Sequence, residues 1–125
     1  MEDIISIDEG SGGKEMQKFI DTIKEKFSID SHWSSTNDDA AVFPIDNENC
    51  LVFTTDTFTV SPLFFPGWNI GDISFAGTVN DLAVMGAEPT GLSMALVAEE
   101  GLPRDSLNQI LESLSSLSNK TQIPV

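Results

Sequence analysis

Residues 71–88 read GDISFAGTVNDLAVMGAE, and Asp81 is the only charged side chain across residues 73–87. Asn80 precedes it, and small or apolar residues stand on every other side. The stretch predicts a helix ended by Gly86 with Pro89 just beyond, the usual C-terminal glycine pattern. A helix apolar all round is a buried helix. An ionised carboxylate inside it is costly unless a cation or good hydrogen-bond donors meet it. Two readings follow. The Asn-Asp pair caps a helix, its side chain taking backbone N–H groups of the next turn. Alternatively, something positive, a metal ion, sits against Asp81.

Outward from this helix the chain alternates short apolar runs with turns. Residues 40–45 (AAVFPI) and 51–55 (LVFTT) have strand length, and Asp46, Asn47 and Asn49 lie between them as turn formers. So short a connection predicts a hairpin. An antiparallel pair brings the start of one strand near the end of the next, which places Asp39 and Asp56 at one edge. Two carboxylates held together repel unless a cation lies between them. The uncharged loop 57–69 (TFTVSPLFFPGWN) either packs under the sheet, walls a pocket or makes a subunit contact.

On the far side, residues 91–98 (GLSMALVA) predict a strand that is apolar on both faces and so must be covered twice. A helix opens at residues 102–105. Leu107, Ile110, Leu111, Leu114 and Leu117 form its buried stripe, and its serines are expected to face water. Residues 122–125 (QIPV) begin like another strand. The order is helix, β, β, helix, β, helix, β. It gives an α+β layer with helices on one face of a mixed or antiparallel sheet, the other face being covered by a second sheet or a partner subunit.

At the N-terminal end, Gly10-Ser11-Gly12-Gly13-Lys14 leads into a helix whose apolar face is Met16, Phe19, Ile20, Ile23 and Phe27. The backbone N–H groups of such a loop, with Lys14, suit phosphate; a flexible lead-in with a surface lysine is the plain alternative. It is not a Walker loop, since Asp8 and Glu15 stand where that motif needs Gly and Ser or Thr.

The 125 residues form one domain by length, with 40% hydrophobic residues. Six basic against twenty acidic residues, a formal charge of −14, oppose nucleic-acid and anionic-membrane partners. An acidic chain still takes a polyphosphate when divalent ions stand between. There is no run of eighteen apolar residues, and the acidic start MEDIISIDEG does not read as a secretory signal, so a cytoplasmic protein is expected. The single cysteine, Cys50, excludes an internal disulfide and a cysteine zinc cluster. Neither Cys50 nor His32 is assigned a role.

The segments GSGGK (10–14), NDDAAVF (37–43), FTTDTFTVSPLFFPGWNIGD (53–72) and GTVNDLAVMGAEPTGLSMALVAEEGLP (77–103) occur in the order found in a known superfamily. Together they resemble the N-terminal ATP-binding domain of the proteins typified by aminoimidazole ribonucleotide synthetase (PurM), thiamine-monophosphate kinase and selenophosphate synthetase. Within that superfamily the chain is most similar to the carbamoyl dehydratases of hydrogenase maturation. The resemblance implies a PurM N-terminal-like fold that pairs into a homodimer barrel. It implies ATP bound through several Mg²⁺ ions held by Asp39, by Asp56 with oxygens of Thr54 and Thr55, and by Asp81. Asn80, Lys14 and the Gly12-Gly13 backbone would contact the nucleotide. The implied reaction is ATP-dependent dehydration of a cysteine-bound carboxamide to a thiocyanate, whose cyanide goes to the iron of nickel–iron hydrogenase. A carbamoyltransferase and an iron–cyanide scaffold complex are the implied partners. Members also carry a second, larger domain and a C-terminal acceptor cysteine, so this stretch alone is expected to be inactive. A nucleotide-free dimerisation scaffold and another kinase or synthetase of the superfamily are the rival expectations.

Overall fold

A computed structural model describes residues 4–27 and 32–125; the expectations that fall on residues 1–3 and 28–31 lie outside the described residues. The chain divides into two compact units, Met1–His32 and Trp33–Val125.

In the first unit, a short 3-10 turn (Ile7–Gly10) is followed by α1 (Gly13–Lys26). Gly12 and Gly13 take φ of 85° and 79°, a region open to glycine without strain, and Gly12 occupies the N-cap of α1. Met16, Phe19 and Ile20 are half-buried, whereas Ile23 and Phe27 on the same predicted face are exposed.

The second unit opens with the expected hairpin, β1 (Ala41–Pro44) and β2 (Cys50–Phe53), in the register Ala41↔Phe53, Val42↔Val52, Phe43↔Leu51. Asp46 closes its connection by accepting from the backbone N–H groups of Glu48 and Asn49, both at 2.8 Å. Alternation along the strands divides the hairpin into two faces. Val42 and Val52 share one. Continuing the pairing adds buried Ala40 opposite Thr54 to that face. Phe43, Leu51 and Phe53 share the other. Trp33 lies 5.2 Å from the Phe43 ring and 6.3 Å from that of Phe53, yet Leu51 and Phe53 stay about half exposed.

A second, tighter hairpin lies in the uncharged loop. β3 (Phe64–Phe65) pairs with β4 (Trp68–Asn69) across Pro66-Gly67, where Gly67 has φ of 84°. Prolyl-glycine suits the two central positions of a type II turn, and this dipeptide was the signal for the hairpin. The same loop packs inward at Phe58, whose ring covers Gly77: a Cβ there would lie 2.5 Å from its Cζ.

The central helix, α2, spans Ile70–Val84, and Gly86 follows it with φ of 72°. Asn69 caps its start. The Asn69 side chain accepts from Gly71 N at 2.8 Å, while Asp72 accepts from Asn69 N at 2.7 Å. Asn80 and Asp81 are therefore interior to the helix, and the capping alternative for that pair is overturned. Burial is less complete than an all-apolar helix predicts. Gly71, Phe75 and Leu82 are buried, but Val84 is exposed.

α3 (Arg104–Thr121) packs against α2, with Ile110 buried and Leu107, Leu111, Leu114 and Leu117 half-buried. The contact is close at Gly71, where a Cβ would meet the Ile110 carbonyl oxygen at 2.5 Å. Not all the serines of α3 face water. Ser113 Oγ accepts from buried Asn69 Nδ2 at 2.7 Å, and Ser118 Oγ donates to Ile123 O at 2.6 Å.

Among the described residues the expected layered sheet is not formed. Residues 91–98 and 122–125 are not strands, and Leu92 N to Pro124 O, 2.8 Å, is the backbone bond between them. A strand exists by its ladder. Val97, 99% exposed, has no neighbouring strand beside it, so its segment is solvated. The second unit is thus α+β, with two helices and two small antiparallel hairpins.

Candidate functional site

The second unit brings the end of β2, the turn before β1 and the last turn of α2 to one point. Val52 faces inward, so Thr54, two residues on, continues that face, and Asp81 on α2 meets it. Thr54 Oγ1 stands 3.0 Å from the main-chain oxygen of Asp39 and 3.1 Å from Oδ2 of Asp81. Three segments distant in sequence are joined at one hydroxyl. The anchors of α2 explain why the helix arrives there: Asn69 and Ser113 tie its start to α3, and Phe58 packs on its middle.

The field at Asp81 favours a cation. Its carboxylate is half-buried three residues before Val84, the last residue of α2, where the helix macrodipole is negative, and the last turn holds no basic residue. Among the described residues no lysine, arginine or histidine pairs with Asp39, Asp56 or Asp81; the ion pair present is Lys18–Glu15, on α1. Among the described residues, the Thr54 hydroxyl is the one hydrogen-bond partner of the Asp81 carboxylate. The donor set of carboxylate, hydroxyl and carbonyl oxygens suits a hard divalent ion such as Mg²⁺ rather than a softer metal.

The other predicted residues sit as follows. Asp39 joins the cluster through its main chain, and its side chain is exposed. Thr55 and Asp56 are exposed just beyond Thr54, and the continued hairpin register sets Asp39 across from Thr55. Asn80 is exposed on α2. The three carboxylates do not close into a cage: among the described residues no group of three His, Cys, Asp or Glu side chains could hold a metal unaided. Gly12, Gly13 and Lys14 belong to the first unit, at the start of α1. Cys50 is exposed at the start of β2. Sequence reasoning listed Thr54 among ligands and missed its bond to Asp81, which needs the inward parity of β2 and the path of α2 together.

The loop–strand–helix arrangement around these aspartates defines a class. The chain belongs to the family described as AIR synthase related protein, N-terminal domain, whose model matches residues 37–125. Among curated proteins it is similar to the carbamoyl dehydratase HypE of Rhizobium leguminosarum bv. viciae, 38% identical over 97% of this chain and 34% of that protein. It is likewise similar to a putative hydrogenase expression/formation protein of Methanocaldococcus jannaschii, 41% identical over 93% of this chain and 36% of the relative. The HypE of Escherichia coli K12 is 36% identical over 97% of this chain and 37% of its own length. The chain thus spans about a third of the length of these relatives. Among the described residues no helix is long and apolar enough to cross a membrane.

Proposed function

We propose that the second unit is the Mg-ATP-binding portion of a HypE-like carbamoyl dehydratase. The observation that carries this reading is the half-buried Asp81 carboxylate at the negative end of α2, partnered only by Thr54 and brought beside the Asp39 turn. Asp39, Asp56 and Asp81, with Thr54 and Thr55 at the strand end, would hold Mg²⁺, and Asn80 would face the nucleotide. Bound Mg²⁺ supplies charge neutralisation as a γ-phosphoryl group moves. The protein's own part is to fix the carboxylates on a hairpin end and a helix before the ligand arrives. For Gly12, Gly13 and Lys14 the proposal rests on the loop alone, two glycines of positive φ at the start of a helix, whose unpaired N–H groups suit phosphate.

In the proposed reaction ATP phosphorylates the oxygen of a cysteine-bound carboxamide, and elimination of phosphate leaves the thiocyanate. The cyanide goes to the iron of nickel–iron hydrogenase, with a carbamoyltransferase and an iron–cyanide scaffold as partners. The 125 residues supply the nucleotide side of this chemistry. Taken alone they are proposed to bind without turnover, since Cys50, exposed at the start of β2, is their only thiol.

Calorimetry with ATP and Mg²⁺ tests the reading. Binding to the wild type should require Mg²⁺ and fall at least about tenfold in Asp81→Ala. Equal binding by both proteins, or none by the wild type, rejects it. One observation favours a second reading, a homodimerising scaffold: the Leu51–Phe53 face of the hairpin and Val97 are uncovered. Mass measurement without any thermal shift from Mg-ATP would select that alternative.

A further inference from the structure

We infer that the Thr54 hydroxyl positions Asp81 rather than ligating the ion itself, so that any oxygen Thr54 gives the ion is its main-chain one, an inference that rests on the divalent-ion reading above. A threonine hydroxyl carries one hydrogen. Thr54 Oγ1 nevertheless faces two acceptors, the Asp39 carbonyl at 3.0 Å and Asp81 Oδ2 at 3.1 Å. Only one can receive the hydrogen at a time. The ionised carboxylate is the stronger acceptor because its bond is charge-assisted, so the O–H is directed at Asp81. The hydroxyl is thereby committed to orienting Oδ2, and Asp81 is restrained before a cation arrives. The remaining carboxylate lone pairs are then presented without further loss of side-chain freedom.

Threonine suits this task better than serine. Its β-branch restricts χ1, so on a strand the hydroxyl keeps one direction. The strand supplies the rest: Thr54 shares the inner face with Val52 and pairs across the continued hairpin with buried Ala40, next to Asp39. Residues that orient ligands in this way typically contribute about 10- to 100-fold to metal affinity when removed.

The test is a Mn²⁺ titration of the 125-residue chain, read by electron paramagnetic resonance with and without ATP. The proteins compared are wild type, Asp81→Ala, Thr54→Val, Thr54→Ser and the double variant Thr54→Val with Asp81→Ala. Thr54→Val should weaken Mn²⁺ binding about tenfold or more, Thr54→Ser should retain most of it, and Thr54→Val should add nothing once Asp81 is replaced. If Thr54→Val does not fold by circular dichroism, Thr54→Ala against Thr54→Ser carries the same comparison. Wild-type affinity in Thr54→Val, or losses that add in full with Asp81→Ala, overturns the positioning role while leaving the site standing. Absence of Mn²⁺ binding by the wild type removes the site itself, and the inference with it.

Discussion

A carboxylate in the final turn of a helix sits in an opposing field. Asp81 does so half-buried, with one hydroxyl as its partner. Removing its charge should therefore help the empty protein and harm the loaded one. Asp81→Asn, which still offers an acceptor to Thr54, is expected to gain about 0.3–1 kcal/mol in EDTA. For a domain of this size that is a rise in melting temperature of roughly 2–6 °C. Added Mg²⁺ with ATP should reverse the order by stabilising only the wild type, and differential scanning fluorimetry in the two buffers checks both signs. A second carboxylate works by hydrogen bonds alone. Asp46 is held below its ordinary value of 3.8, first by the Asn49 side chain and then by the backbone N–H groups of Glu48 and Asn49. A depressed carboxyl stabilises the fold above the unfolded value, and that contribution is lost as pH falls through the lowered one. Asp46→Ala should consequently melt earlier than the wild type at pH 7, with the gap closing below pH 3.8 as the wild-type carboxyl protonates.

Two glycines decide how closely α2 approaches its neighbours. At Gly71 a methyl group would meet the Ile110 carbonyl, which is backbone and cannot swing away. Gly71→Ala should cost about 1–3 kcal/mol, the range of core overpacking, despite the better helix propensity of alanine. At Gly77 the obstacle is the far end of the Phe58 ring, which can tilt, so Gly77→Ala should cost less. Urea denaturation of both variants ranks them, and a larger loss at Gly77 would contradict the packing described. The elements most legible in the sequence were those whose signals are local. The apolar periods of α1 and α3, the Gly86 stop after α2 and the turn formers between β1 and β2 all lie within a few residues of what they specify. Asp81 stood out in the sequence as a candidate because one charge in fifteen residues is an anomaly by itself. The misplaced elements depend on partners. Residues 91–98 have the composition of a strand and, within the described chain, no ladder to join. Ser113 and Ser118 read as solvated until Asn69 and Ile123 arrive from elsewhere in the fold. The β3–β4 hairpin carried its Pro66-Gly67 signal, but its strands are too short to show a period.

At the scale of the molecule, apolar surface is left over where the sequence demanded cover. The outer hairpin face keeps Leu51 and Phe53 open, and Met94, Leu96 and Val97 stand exposed along residues 91–98. Net charge of −14 keeps such a chain soluble, yet it does not remove the gain from covering those side chains. Each large apolar side chain taken fully out of water contributes about 1.5–3 kcal/mol. In a two-fold symmetric pair every such residue counts twice. The wild-type chain is thus expected to sediment at twice 13.5 kDa. Phe53→Glu should return it to the monomer mass, because a buried, unpaired carboxylate would replace an aromatic contact on both sides of the axis. Phe53 and Thr54 point to opposite faces of the strand, so the substitution leaves the Thr54–Asp81 bond in place. Analytical ultracentrifugation combined with the Mn²⁺ titration then separates two outcomes. Monomers that still bind Mn²⁺ show an acidic site complete within one chain. Monomers that lose it show that the second copy completes the site, while a wild type that is already monomeric removes the outer face as an interface.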